Sequence, residues 1–193
     1  MSSVARNISE RHEIVPDEFR NAMRHLTAGV SVITAGRGSD ISGMTVTSVS
    51  SLAIEPASLI VAINREASSL PLLRRFGAFG VNILSGDQLD IAERFTGKDG
   101  RKGAERFTGC SWTAGPSGVP LLRGALVAIG CEVDEIIERH SHAIVLGRVV
   151  HLATSGASAA LAYWRGDYVA IERDSDLSRI ADVGLPTVRA LLD

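Results

Sequence analysis

Residues 125–138 and 142–152 are two long β-prone stretches with three residues between them. A connection that short suits antiparallel neighbours and leaves no room for the crossover that parallel strands require. The same grammar recurs earlier in the chain. Val30-Ser31-Val32-Ile33-Thr34 alternates, Gly36 to Asp40 reads as a turn, and Met44-Thr45-Val46-Thr47 returns, which makes a hairpin. Leu59 to Ile63, Phe79 to Leu84 and late strands near 161–171 extend the sheet. Helices are expected over 17–28, 69–76 and 87–95. The first opens on Pro16-Asp17-Glu18, continues through Phe19, Met23 and Leu26 at helical spacing, and stops at Gly29. Strands outnumber helices and short turns join them, so the fold class is mainly β with flanking helices, an antiparallel barrel.

A chain of 193 residues fits one core. The expected organisation is a flexible N-terminal segment at 1–15, a single domain at 16–173 and a helical extension at 174–193 built on Leu177, Ile180, Leu185 and Val188. A net charge of -2 without a basic block argues against nucleic acid as a partner. The two cysteines, Cys110 and Cys131, lack metal-ligand spacing, and Cys131 and Phe79 read as core. No apolar run reaches the ~18 residues of a membrane span, and the N-terminus lacks a signal-peptide core, so a cytoplasmic location without membrane contact is expected.

Chemistry concentrates in Gly43 to Leu52, where Thr45, Thr47, Ser48, Ser50 and Ser51 supply five hydroxyls in ten residues. A strand running into an irregular loop there presents convergent N–H and O–H donors to a phosphate; equally, such residues fill the solvent face of a strand. His140 and His142 share a strand face by period two, with no carboxylate or cysteine to complete a metal site. Lys98, Arg101 and Lys102 lie in a glycine-punctuated loop, read first as solvated and second as a contact for a dinucleotide phosphate. No Gly-x-Ser-x-Gly elbow marks a serine hydrolase.

Taken together, Phe19-Arg20, Gly29 to Thr34, Gly43 to Leu52 with Pro56, Asn64-Arg65, Phe79 to Leu84, Arg106-Phe107 with Trp112, Gly118 to Ala125, His142 and Gly147-Arg148-Val149 resemble the flavin reductase-like family. These are FMN-binding split-barrel reductases that accompany two-component flavin-dependent monooxygenases. The resemblance implies a Greek-key split β-barrel, FMN or FAD as flavin, NADH or NADPH as hydride donor, a homodimer and a monooxygenase partner that receives reduced flavin. It places Thr45, Val46, Thr47, Ser48, Ser50 and Ser51 along the flavin ring and first phosphate, with Asn64, Arg65 and Ser69 closing the site and Asn82 nearby. Relatives carry a hydroxyl where this chain has Ala67, leaving Ser68 as a substitute or a weaker site. His142 resembles the nicotinamide-side histidine, although His140-Ser141 stands where relatives have Gly-Asp. Trp164 and Arg165, within Tyr163-Trp164-Arg165-Gly166-Asp167-Tyr168, match a stretch suited to stacking on a ring and meeting a phosphate. A non-enzymatic flavin carrier or sensor is the alternative on the same barrel. A pyridoxamine-type oxidase would need a basic cluster that the chain lacks.

Overall fold

A computed structural model describes residues 14–172. Three helices, α1 (Pro16–Met23), α2 (Ser69–Phe76) and α3 (Leu89–Thr96), accompany twelve strands. In chain order the strands are β1 (Ala28–Gly29), β2 (Ser31–Arg37), β3 (Asp40–Val46), β4 (Val49–Ile54), β5 (Ala57–Asn64) and β6 (Ala78–Ile83). There follow β7 (Trp112–Ala114), β8 (Pro120–Leu122), β9 (Val127–Arg139), β10 (His142–Thr154), β11 (Ala159–Trp164) and β12 (Asp167–Glu172). The extension at 174–193 and the N-terminal segment, apart from residues 14 and 15, lie outside the described residues.

The principal sheet has seven strands in the order β3-β2-β6-β9-β10-β5-β4, all antiparallel. Its two edge strands are consecutive in sequence: β3 ends at Val46, β4 begins at Val49, and Thr47-Ser48 joins them. Two edges tied by two residues must come together, so the sheet curls until it closes at that corner. The edges do not pair, and the barrel is split there. The antiparallel class read from the sequence holds.

Alternation sorts side chains between two cores. Ile33 and Ala35 of β2, Leu59, Val61 and Ile63 of β5, Phe79 and Val81 of β6, Cys131 of β9 and Ala143 and Val145 of β10 form the barrel interior. All are odd-numbered. Even neighbours such as Val32, Ala78 and Ala128 pack outward against Ile91, Ala92 and Phe95 of α3, Leu121 and Leu122 of β8, and Leu161 of β11. Each fully buried aliphatic side chain contributes roughly 1.5–3 kcal/mol, so a one-residue slip, which exchanges the faces, is strongly disfavoured. Gly147 leaves room for the interior aromatic, since a Cβ there would sit 2.4 Å from Phe79 Cζ. Leu70 and Leu73 of α2 belong to the same interior cluster.

Four expectations are corrected. The first helix ends at Met23 instead of 28, because Ala28 and Gly29 are captured by Tyr163 and Ala162 of β11. It also buries none of its residues, leaving Phe19 and Met23 exposed. The segment after Thr47 is not an irregular loop: Val49 to Ile54 pairs with β5 as an edge strand. The small sheet β7-β8 and a 3-10 turn at Gly103–Phe107 add structure to a stretch read only as a loop and isolated motifs. His140 is not on a strand face with His142, because it sits in the two-residue β9-β10 turn with φ 50°.

Candidate functional site

The split corner is also where the chemistry-bearing side chains meet. Antiparallel register sets His142, the first residue of β10, directly across from Asn64, the last residue of β5. Ser48 Oγ ties the corner to the same region by donating to the Ala62 carbonyl of β5 at 2.8 Å. Thr45 Oγ1 donates to the Ala92 carbonyl at 2.6 Å, which draws α3 against β3. Between these elements runs a cleft of about 550 Å3, lined by Thr45, Val46, Thr47, Ser48, Asn64 and His142 from the sequence-based set. Its far wall is Tyr163, Gly166, Tyr168, Thr96 and Lys98.

A second depression of about 570 Å3 continues from the first, sharing Met44, Thr45, Asn64 and Thr96. It is lined by Ser68 and Ser69 at the start of α2, together with Lys102, Gly103 and Arg106, and by one carboxylate, Glu66. No side chain caps α2. The Ser69 hydroxyl is fully enclosed and has no hydrogen-bond partner. Ser68, the expected substitute for the hydroxyl missing at Ala67, lines this end with its Oγ 2.8 Å from Ser42 Oγ, one bond that leaves the hydroxyl further capacity. An open helix N-terminus, an orphaned hydroxyl and the Lys102 ammonium suit a phosphate dianion. Thr47 and Ser48 are not among the residues of this end.

The remaining candidates lie elsewhere. Asn82 is fully buried on β6, with Nδ2 donating to the Val32 carbonyl at 3.0 Å and Oδ1 accepting from the Leu122 N–H at 2.7 Å. It joins β2 to β8 and does not line the cleft. Ser50 and Ser51 are exposed on β4, outside it. Arg65 lines a neighbouring depression that shares Asn64 and Glu66 with the second one, and there it donates to the His140 carbonyl at 3.3 Å and pairs with Glu138 at 3.1 Å. A hydrogen bond from Arg74, with the charges of Arg65 and Arg74, holds the Glu138 carboxyl below its ordinary range.

The hairpin β11-β12 turns on Arg165-Gly166, both at positive φ, and pairs Trp164 with Asp167 and Tyr163 with Tyr168. Successive pairs point to opposite faces, so the tyrosines enter the cleft while Trp164, with the Arg165 guanidinium 5.0 Å above its ring, stays outside. The tyrosine rings meet edge-on at 5.2 Å. Burial, then the neighbouring Tyr163 and Glu93, pushes the Tyr168 phenol up, so it remains a neutral donor. Sequence reasoning named this stretch but chose its other face; counting back from the two-residue turn recovers the tyrosines. His142 Nδ1 is 2.9 Å from Ser141 Oγ. No group of three or more His, Cys, Asp or Glu among the described residues could hold a metal.

A split barrel with an aromatic-walled cleft at its open corner and a phosphate-type cradle at one end defines a nucleotide-binding barrel. Residues 23–172 match the flavin reductase like domain, and the chain belongs to that family. The FMN reductase (NADH) RutF of Stutzerimonas stutzeri is 36% identical over 155 residues, covering 80% of this chain and 88% of the relative. The flavin-dependent monooxygenase reductase subunit HsaB of Rhodococcus jostii is 30% identical over 161 residues, covering 83% and 80%. Among solved structures, BorF, the flavin reductase component of a bacterial two-component tryptophan halogenase, superposes with TM-score 0.75 at 26% identity over 81% of this chain and 98% of BorF.

Proposed function

We propose that this protein is an NAD(P)H:flavin oxidoreductase that reduces FMN or FAD and passes the reduced flavin to a partner monooxygenase. The observation that carries the reading is the convergence of Thr45 to Ser48, Asn64, His142 and the Tyr163–Tyr168 pair on one cleft that continues into the Ser69 and Lys102 cradle. When bound, flavin accepts a hydride at N5 from nicotinamide C4.

The side chains here bind and orient. Ser69 Oγ, the first turn of α2 and Lys102 hold the flavin phosphate. Thr45 to Ser48 and Asn64 run along the ring system, and the tyrosine pair offers it an apolar wall. His142, at the β10 start, takes the nicotinamide side. No acid–base pair is needed, because alignment of two rings at ~3–3.5 Å lowers the barrier through orientation. The cleft is open to solvent along Thr47, Ser48 and His142, all exposed, which suits a flavin that must leave after reduction.

Initial rates with NADH or NADPH against FMN or FAD, in all four pairs, test the reading; flavin-independent or absent oxidation rejects it, and flavin binding without turnover favours a carrier. We further propose a homodimer in the cytoplasm. The β4 edge exposes Leu52 and Ile54, an apolar pair that a second copy would cover. Light scattering at micromolar concentration is expected to give twice the chain mass.

A further inference from the structure

The sequence contains eighteen arginines and only two lysines, Lys98 and Lys102. Both lie in one five-residue turn, and each lines a different one of the two joined depressions. The arginines nearby are occupied. Arg94 pairs with Asp90 at 3.3 Å and donates to the Thr108 carbonyl. Arg101 pairs with Asp99 at 3.4 Å. Arg106 donates to the Arg101 and Gly43 carbonyls at 2.9 and 2.8 Å. Neither lysine ammonium enters an ion pair among the described residues. Arginine, with its planar fork, suits fixed structural contacts, whereas a compact ammonium on a flexible stem suits a ligand that comes and goes.

The turn is braced rather than loose. Gly97 ends α3 at φ 76°, Lys98 N–H donates to Thr96 Oγ1 at 3.3 Å, and the Arg106 guanidinium lies against Gly97. Lys98 lines the cleft that holds His142, Tyr163 and Tyr168, at its junction with a further depression that contains Asp90, Glu93 and Asp99, and Lys102 lines the Ser69 end. One flavin mononucleotide brings one phosphate and uses one pole. We propose that Lys98 anchors the diphosphate of the nicotinamide dinucleotide, a contact separate from the flavin-phosphate end at Lys102. This rests on the flavin reductase reading.

Two lysines make the test direct. FMN-loaded protein is treated with an amine-acylating reagent with and without NAD+, and the modified residues are identified by mass spectrometry. FMN alone is expected to shield Lys102, and NAD+ to shield Lys98 in addition. Lys98→Ala is expected to raise the KM for NADH about fivefold, the scale of an exposed ion pair, with Lys98→Arg restoring most of it. The variant-to-wild-type KM ratio for 1-benzyl-1,4-dihydronicotinamide, which has no phosphate, is expected to stay near one. Equal Lys98 labelling with and without NAD+, or an equal KM rise for both donors, overturns the assignment while the reductase reading stands. Absence of flavin-dependent NADH oxidation by wild-type protein overturns both.

Discussion

The buried core and the corner cleft are built from the same strands and treat polar groups oppositely. In the core layer between the barrel wall and β8, Thr34 Oγ1 donates to the Pro120 carbonyl at 2.5 Å, and Asn82 uses its donor and its acceptor. Cys131 is inert for a similar reason: burial, reinforced by Asp134, pushes its thiol up to about 12. At the corner, Ser69 Oγ has no partner and the two lysine ammoniums enter no ion pair among the described residues. Buried polar groups that are satisfied belong to the fold, and those left unsatisfied mark where something else binds.

The comparison breaks most readily at Asn82. Asn82→Ala leaves the buried Leu122 N–H unpaired and takes the side-chain donor from the Val32 carbonyl, which keeps its ladder bond, and the expected loss is about 2 kcal/mol of stability, read by denaturant or thermal unfolding. Flavin affinity of the remaining folded protein should be unchanged; a stable variant that no longer bound flavin would return Asn82 to the site. Ser69→Ala should behave inversely. Removing a hydroxyl without a partner leaves stability within about 0.5 kcal/mol, while the flavin dissociation constant rises roughly tenfold through loss of a charge-assisted hydrogen bond. Fluorescence titration checks this, and unaltered affinity would move the phosphate away from α2. The smallest change is expected for His142→Ala: flavin affinity held, and the KM for the nicotinamide donor raised roughly threefold, the modest effect of one exposed hydrogen-bonding group. A flavin-binding defect with normal reduction of bound flavin would place His142 on the flavin side instead.

Much of this is legible in the sequence. The helix at 69–76 coincides with α2, and the long stretches from 125 and 142 became β9 and β10, because their turns and periodicity are local signals. Thr45 to Ser48, Asn64, Ser69 and His142 were named from sequence, and they line the two joined depressions. What the sequence leaves open depends on partners distant along the chain. Asn82 looks like a ligand until Leu122, forty residues on, is seen to occupy it. Arg65 looks free until Glu138 arrives across the β9-β10 turn. Lys98 and Lys102 read as a solvated loop because nothing local reveals that β3 and α2 stand opposite. The strand at Val49–Ile54 escaped because it is an edge, with one neighbour and four exposed residues of six, and so lacks a buried stripe.

The two-residue join between β3 and β4 also has a dynamic consequence. Since the edges share no ladder, drawing β3 away from β4 breaks no interstrand hydrogen bond, and the barrel can breathe along this single line more easily than anywhere else on its circumference. A nucleotide lying across that line would act as a rivet. Amide exchange would then slow on β3 and β4 together when flavin arrives, with β6 and β9 already slow without it, so occupancy could be read from the backbone on the side of the molecule that moves.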